Sequence, residues 1–209
     1  MSTTPSPLRA LALNGTLKAS PDPSNTEALT EVVLDALRER SVECEIVRLT
    51  DLTIAPGVVS EAVGPGDQWP EVYAKVVAAD IVIFATPTWL GQPSSVIKRA
   101  LERLNGMLSE TDDDGVPLAY NKVAGFVVTG REDGAHHCIS QMAGAAYDIG
   151  FTVPGLAWTY WNKGAAHDDE EFLTCGDTQW SVTTGRSAAQ NLHTVARALA
   201  AVPMTAPPS

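Results

Sequence analysis

Short, solidly apolar runs alternate along this chain with longer stretches in which apolar residues recur every three or four positions. Leu8 to Asn14 (LRALALN) is the first solid run and reads as a strand. A polar loop follows. Leu29, Val32, Val33, Ala36 and Leu37 then fall at helical spacing, with Ser24 and Glu27 placed as a capping box. Glu45 to Leu49 is a weaker strand, and 50–67 is a loop broken by Pro56, Gly57, Gly64, Pro65 and Gly66. Trp69, Val72, Tyr73, Val76 and Val77 mark a second helix. Ile81 to Ala85 (IVIFA) is the strongest strand, β-branched and apolar as a strand covered on both faces should be. Val96, Ile97, Ala100, Leu101 and Leu104 predict a third helix, and Val123 to Thr129 a fourth strand. A fourth helix over 135–149 and a fifth strand, Thr152 to Ala157, follow. Residues 158–184 read as irregular, and Ala188, Leu192, Val195, Ala196 and Leu199 mark the last helix.

Five strands alternating with five helices predict an α/β domain: a parallel sheet with helices on both faces. It spans 8–201, between a flexible N-terminus (1–7) and a flexible tail (202–209). In such sheets ligands bind beyond the carboxyl ends of the strands, where the winding reverses. The loops after the first, third and fourth strands are therefore the ones to inspect.

Composition narrows the partners. Twenty-five acidic against 14 basic residues give a formal net charge of -11, which argues against nucleic acid and against an anionic membrane surface. Cys44, Cys138 and Cys175 lie far apart with no CxxC, which fits a reducing compartment and lacks the pattern of a zinc or iron–sulfur site. No run approaches the ~20 apolar residues of a membrane span, and no signal peptide is evident, so a cytoplasmic protein is expected.

The first loop, NGTLKASPDPSNTEAL, is neither a Walker A loop nor a GxGxxG turn. It offers Thr16, Ser20, Ser24, Asn25 and Thr26 as hydrogen-bond donors and Lys18 as a cation, just ahead of a helix N-terminus that suits a phosphate. Simple helix capping by Ser24 is the competing account. The second loop, TPTWLGQPSS, sets Trp89 between Pro87 and Gly91, where a packing role competes with a ligand contact. In the third, TGREDGAHHC, Gly130 and Gly134 flank Arg131, Glu132 and Asp133. His136 and His137 are adjacent and point about 100° apart on a helix, so they cannot chelate one metal together. No metal is expected, and one of the two is a candidate polar lining residue.

Taken in order, these three loops resemble those of the flavodoxin-like superfamily, and within it the NADPH-dependent FMN reductases and related quinone reductases. The resemblance spans roughly 8–157 and carries TPTWLGQPSSVIKRALERL and VVTGREDGAHHC besides the first loop. It implies a flavodoxin-like three-layer α/β/α sandwich with a five-stranded parallel sheet of order 2-1-3-4-5. It implies FMN, with its phosphate held by Thr16, Lys18, Ser24, Asn25 and Thr26. One ring edge would meet Pro87, Thr88, Trp89, Leu90 and Gly91, the other Thr129, Gly130, Arg131, Glu132 and Gly134. Arg131 would stabilise the reduced ring. NADPH or NADH would be the electron donor, and a quinone, free flavin or similar planar molecule the small-molecule acceptor, in a homodimer or homotetramer. A flavodoxin-type electron carrier and a flavin-binding module without turnover are the rival readings. Reductases of this type often open the phosphate loop with Gly-Ser and carry an arginine there, where this chain has Asn14-Gly15-Thr16 and Lys18. Because the chain as a whole repels a phosphate, local donors must bind it. Part of residues 158–184 would close over the flavin or sit at a subunit contact, with a surface excursion stapled by aromatics as the competing account.

Overall fold

The computed structural model describes residues 7–163 and 171–208. The expectation for 1–7 therefore lies outside the described residues except at Pro7, as do parts of those for 158–184 and 202–209. In chain order the elements are β1 (Arg9–Asn14), α1 (Asn25–Arg38), β2 (Glu43–Arg48), α2 (Trp69–Ala78), β3 (Ile81–Trp89), β4 (Gln92–Pro93), α3 (Ser95–Leu104), β5 (Val123–Gly130), α4 (Ala135–Ile149), β6 (Trp158–Asn162) and α5 (Gln179–Ala201). The long strands lie in the order β2-β1-β3-β5-β6, and all four pairings are parallel. This is the expected 2-1-3-4-5 order once the two-residue β4, antiparallel to the end of β3, is set aside.

Both faces of the sheet are buried, which explains the solid apolar runs. Leu11, Leu13, Val82, Phe84 and Phe126 pack on one face under α2, α3 and α4. Ala10, Ala12, Ile81, Ile83 and Val127 pack on the other under α1 and α5. The alternation of the two sets along each strand is the period of a pleated strand.

Two expectations need correction. The fifth long strand is Trp158–Asn162, not Thr152 to Ala157. Pro154 and Gly155 break the earlier run, which makes only one bridge, Thr152 to Val123. The aromatic residues that follow suit the pleated edge, and they pair with Phe126 to Gly130. The segment 158–184 is thus regular at both ends, because α5 begins at Gln179. Its first two turns bury Ser181 and Gly185 instead of large apolar residues, so the helical stripe does not show there. The tail is tied at its start. The Asn121 side chain donates to the Met204 carbonyl (3.1 Å) and accepts from the Met204 N–H (2.7 Å).

β3 outruns β1. Asn14 pairs with Ala85, whereas β3 continues beside β5 through Thr86 and Pro87 and on to Trp89. It then turns back through Leu90 and Gly91, with Trp89 paired to Gln92. Both turn residues have positive φ, +52° at Leu90 and +72° at Gly91, as a two-residue hairpin of type I′ requires. Leucine is strained there, and its side chain is 90% exposed. Leu90→Asn is expected to raise stability by about 1 kcal/mol, read as a higher urea midpoint at unchanged slope. A lower midpoint would mean that the leucine side chain contributes more than its backbone costs.

Candidate active site

The step between β1 and the longer β3 opens a cavity of about 590 Å³ at the carboxyl ends of the strands. Its floor is the start of α1. Ser24 caps that helix, accepting from the Glu27 N–H at 3.2 Å. The reciprocal capping-box bond is missing because the Glu27 carboxylate turns instead to Asn14 (3.0 Å) and Arg48 (2.8 Å). The first N–H groups of a helix have no partner within it and carry the positive end of its dipole. Thr16, Leu17, Lys18, Asn25 and Thr26 line this end. Thr26 is fixed by a 2.7 Å hydroxyl pair with Thr129 of β5, and Asn25 Oδ1 accepts from the Leu173 N–H at 3.2 Å.

One wall is Pro87, Thr88, Trp89 and Leu90 at the end of β3, and the facing wall is Thr129, Gly130, Arg131 and Glu132 at the end of β5. The two walls touch closely. A Cβ at Gly130 would stand 2.1 Å from the Thr88 methyl, and one at Gly134 would stand 2.7 Å from the Gly91 Cα. Gly134 also has φ +113°, open to glycine alone without strain. Trp161 of β6 and Glu171 complete the lining.

Twelve of the fifteen expected cofactor residues thus line one cavity. Ser24, Gly91 and Gly134 stand behind the lining, as helix cap, hairpin turn and backbone contact. Arg131 is half-exposed and pairs with Glu171 at 3.4 Å, a contact worth at most about 1 kcal/mol in water. The two histidines do not line the cavity. His136 sits edge-on against both Trp158 and Tyr160, at 5.3 and 5.2 Å. His137 lies 3.1 Å from the Gln92 amide and ties the hairpin to α4. Cys138 is buried under the hairpin, and burial pushes its thiol pKa up, so it offers no thiolate. Among the described residues no cluster of His, Cys, Asp or Glu could hold a metal. A second cavity of about 310 Å³ lies at the amino ends of β1 and β2. Its charges are paired, Arg9 with Glu43 and Lys75 with Glu45.

Leu17 was not foreseen, nor was Arg48 behind the loop, whereas Trp161 and Glu171 belong to 158–184, the segment expected to close over the site or to sit at a subunit contact, without having been singled out as lining residues. For Arg48 a signal existed: it ends β2 in register with Asn14, at the edge where ligands bind.

A family model described as NADPH-dependent FMN reductase matches residues 8–165. Among curated proteins, the chain is 35% identical over 162 residues to the 8-demethyl-8-aminoriboflavin-5'-phosphate synthase of Streptomyces davaonensis, covering 74% of this chain and 63% of that protein. It is 38% identical over 157 residues to a protein named divalent metal cation transporter MntH from Mycobacterium bovis, covering 74% of this chain but 23% of that one. The chain therefore spans less than two thirds of either relative. Among the described residues no helix is long and apolar enough to cross a membrane. Among solved structures, RosB with bound 8-demethyl-8-formylriboflavin-5'-phosphate superimposes with a TM-score of 0.83 at 30% identity, over 94% of this chain and 82% of that one.

Proposed function

Since the chain belongs to the NADPH-dependent FMN reductase family, we propose that it is an FMN-dependent oxidoreductase taking electrons from NADPH or NADH to a quinone, free flavin or similar planar acceptor. The observation that carries this reading is the single cavity in which the three loops meet. The residues present fit the group. The cavity is within the ~300–1,000 Å³ of small-molecule sites. It joins a helix N-terminus and hydroxyls at one end to the adjacent strand ends of β3 and β5 at the other. Thr16, Lys18, Asn25 and Thr26 would hold the phosphate, with Ser24 shaping the helix start. Pro87 to Leu90 and Thr129 to Glu132 would border the ring, and Gly91 and Gly134 keep those two walls together. When bound, FMN supplies the two-electron chemistry. The protein would position the ring and place Arg131 near the ring edge. We further read the chain as a cytoplasmic homodimer or homotetramer.

Titration of the purified protein with FMN, followed by NADPH and benzoquinone, tests the reading. A yellow protein that oxidises NADPH supports it. A yellow protein inert to nicotinamides but reduced by a partner reductase supports an electron carrier, and a colourless protein that takes up no FMN ends the reading. Arg131→Ala is expected to lower turnover about tenfold with FMN affinity nearly unchanged. Wild-type rates in that variant would remove the role.

A second reading has specific support. Both a curated relative and the RosB structure are named for flavin 5'-phosphates altered at position 8. In this reading FMN is the substrate. Mass spectrometry of the flavin recovered after turnover separates the two: an unchanged mass favours the cofactor, an altered one the substrate.

A further inference from the structure

Loop 15–24 has its back to the end of β2 and the turn after it, where Asp51 accepts from the Ser20 N–H (2.7 Å) and hydroxyl (2.6 Å) while Arg48 and Thr50 donate to loop carbonyls. Thr50 donates its hydroxyl to the Thr16 carbonyl. Arg48 donates to the carbonyls of Asp22 (2.8 Å) and Lys18 (3.4 Å). The other face of the Arg48 guanidinium is fixed on Glu27, through Nε at 2.9 Å and through a second nitrogen at 2.8 Å. Asn14 bridges the same carboxylate oxygen (3.0 Å) to the Thr16 N–H (3.0 Å). The Arg48 side chain is 9% exposed and does not line the cavity.

In a planar trans peptide the carbonyl and the next N–H point in opposite directions. Turning the Thr16 and Lys18 carbonyls toward β2 therefore turns the N–H groups of Leu17 and Ala19 the other way. Leu17 lies on the cavity side. An inward N–H at Leu17 beside a helix N-terminus suits an anion.

We propose that Arg48 and Thr50 are positioning residues that set the site's selectivity for a phosphorylated flavin, by holding the loop carbonyls away from the cavity. The charge of Arg48 is already matched by Glu27, so it acts through the loop and not on the ligand. This rests on the flavin reading given above.

The test is the ratio of FMN to riboflavin affinity, measured by flavin fluorescence on the full chain. Wild type is expected to prefer FMN. Arg48→Met is expected to weaken FMN about 10- to 100-fold and to leave riboflavin within about twofold, so that the ratio collapses. Should Arg48→Met not fold, Thr50→Val carries the test with a loss of about tenfold in the same ratio, while Thr50→Ser keeps the wild-type ratio. Wild-type ratios in Arg48→Met and Thr50→Val, or equal losses in Thr50→Val and Thr50→Ser, overturn the inference and leave the flavin reading standing. Wild-type protein that binds neither flavin overturns both.

Discussion

Arg103→Met should cost about 3–5 kcal/mol, lowering the thermal midpoint by roughly 10 °C. Arg103 sits in α3 with its side chain fully buried, against an Asp67 that is 1% exposed. Its guanidinium donates to Asp67 (2.7 Å) and to the carbonyls of Ala55 (2.9 Å), Val59 (3.0 Å) and Glu61 (2.6 Å), and it lies 5.4 Å from the Trp69 ring centre. One side chain thus organises most of the connection between β2 and α2. Methionine fills comparable volume but leaves a buried carboxylate without its cation and three carbonyls without this donor. Asp67 has its own pH signature. Burial works to raise its pKa, but hydrogen bonds from the Val63, Ala55 and Trp69 N–H groups and from Arg103 outweigh it, leaving the carboxyl well below the usual range. A depressed folded-state pKa means stability that is present above the unfolded value of about 3.9 and lost as pH falls below it. Acid unfolding of wild type should therefore steepen below about pH 4, and Arg103→Met should weaken that dependence. A midpoint within 2 °C of wild type would sink the argument.

The second large effect is expected at Gly130. An alanine Cβ there would lie 2.1 Å from Thr88 Cγ2, where about 3.5–4 Å is normal. Gly130→Ala should cost about 2–3 kcal/mol by overpacking and push apart the two walls that border the cavity. Thr88→Ser deletes the offending methyl, and the next contact, with Thr88 Cβ, is 3.4 Å. The double variant should therefore recover about 1–2 kcal/mol relative to the sum of the single changes, in a urea-denaturation cycle. Additive effects would place the damage elsewhere.

The order of elements was legible because β1, β3 and β5 are buried on both sides and so read as solid apolar runs. The three loops that line the cavity follow from that order alone, since the sheet brings residues such as Thr26 and Thr129 to one edge. What escaped did so for physical reasons. Ser181 and Gly185 are buried because α5 needs small residues beside Val32 and Thr159, and small residues leave no hydrophobic stripe. In Thr152 to Ala157 the apolar content outweighed Pro154, whereas the structure obeys the proline. Arg103 and Arg48 look like ordinary solvated arginines in sequence. Only the fold shows that each satisfies a set of backbone carbonyls.

The hydroxyl pair of Thr26 and Thr129 joins residues 103 positions apart, across three intervening strands of the chain. No contiguous fragment shorter than that contains residues of all three loops that line the cavity. Each parallel pairing must first close a loop that holds a helix, and such long closures come late and slowly in folding. The site consequently has no half-built form. The three loops meet only when β5 has been laid beside β3, and a chain stalled before that would carry secondary structure without the cavity.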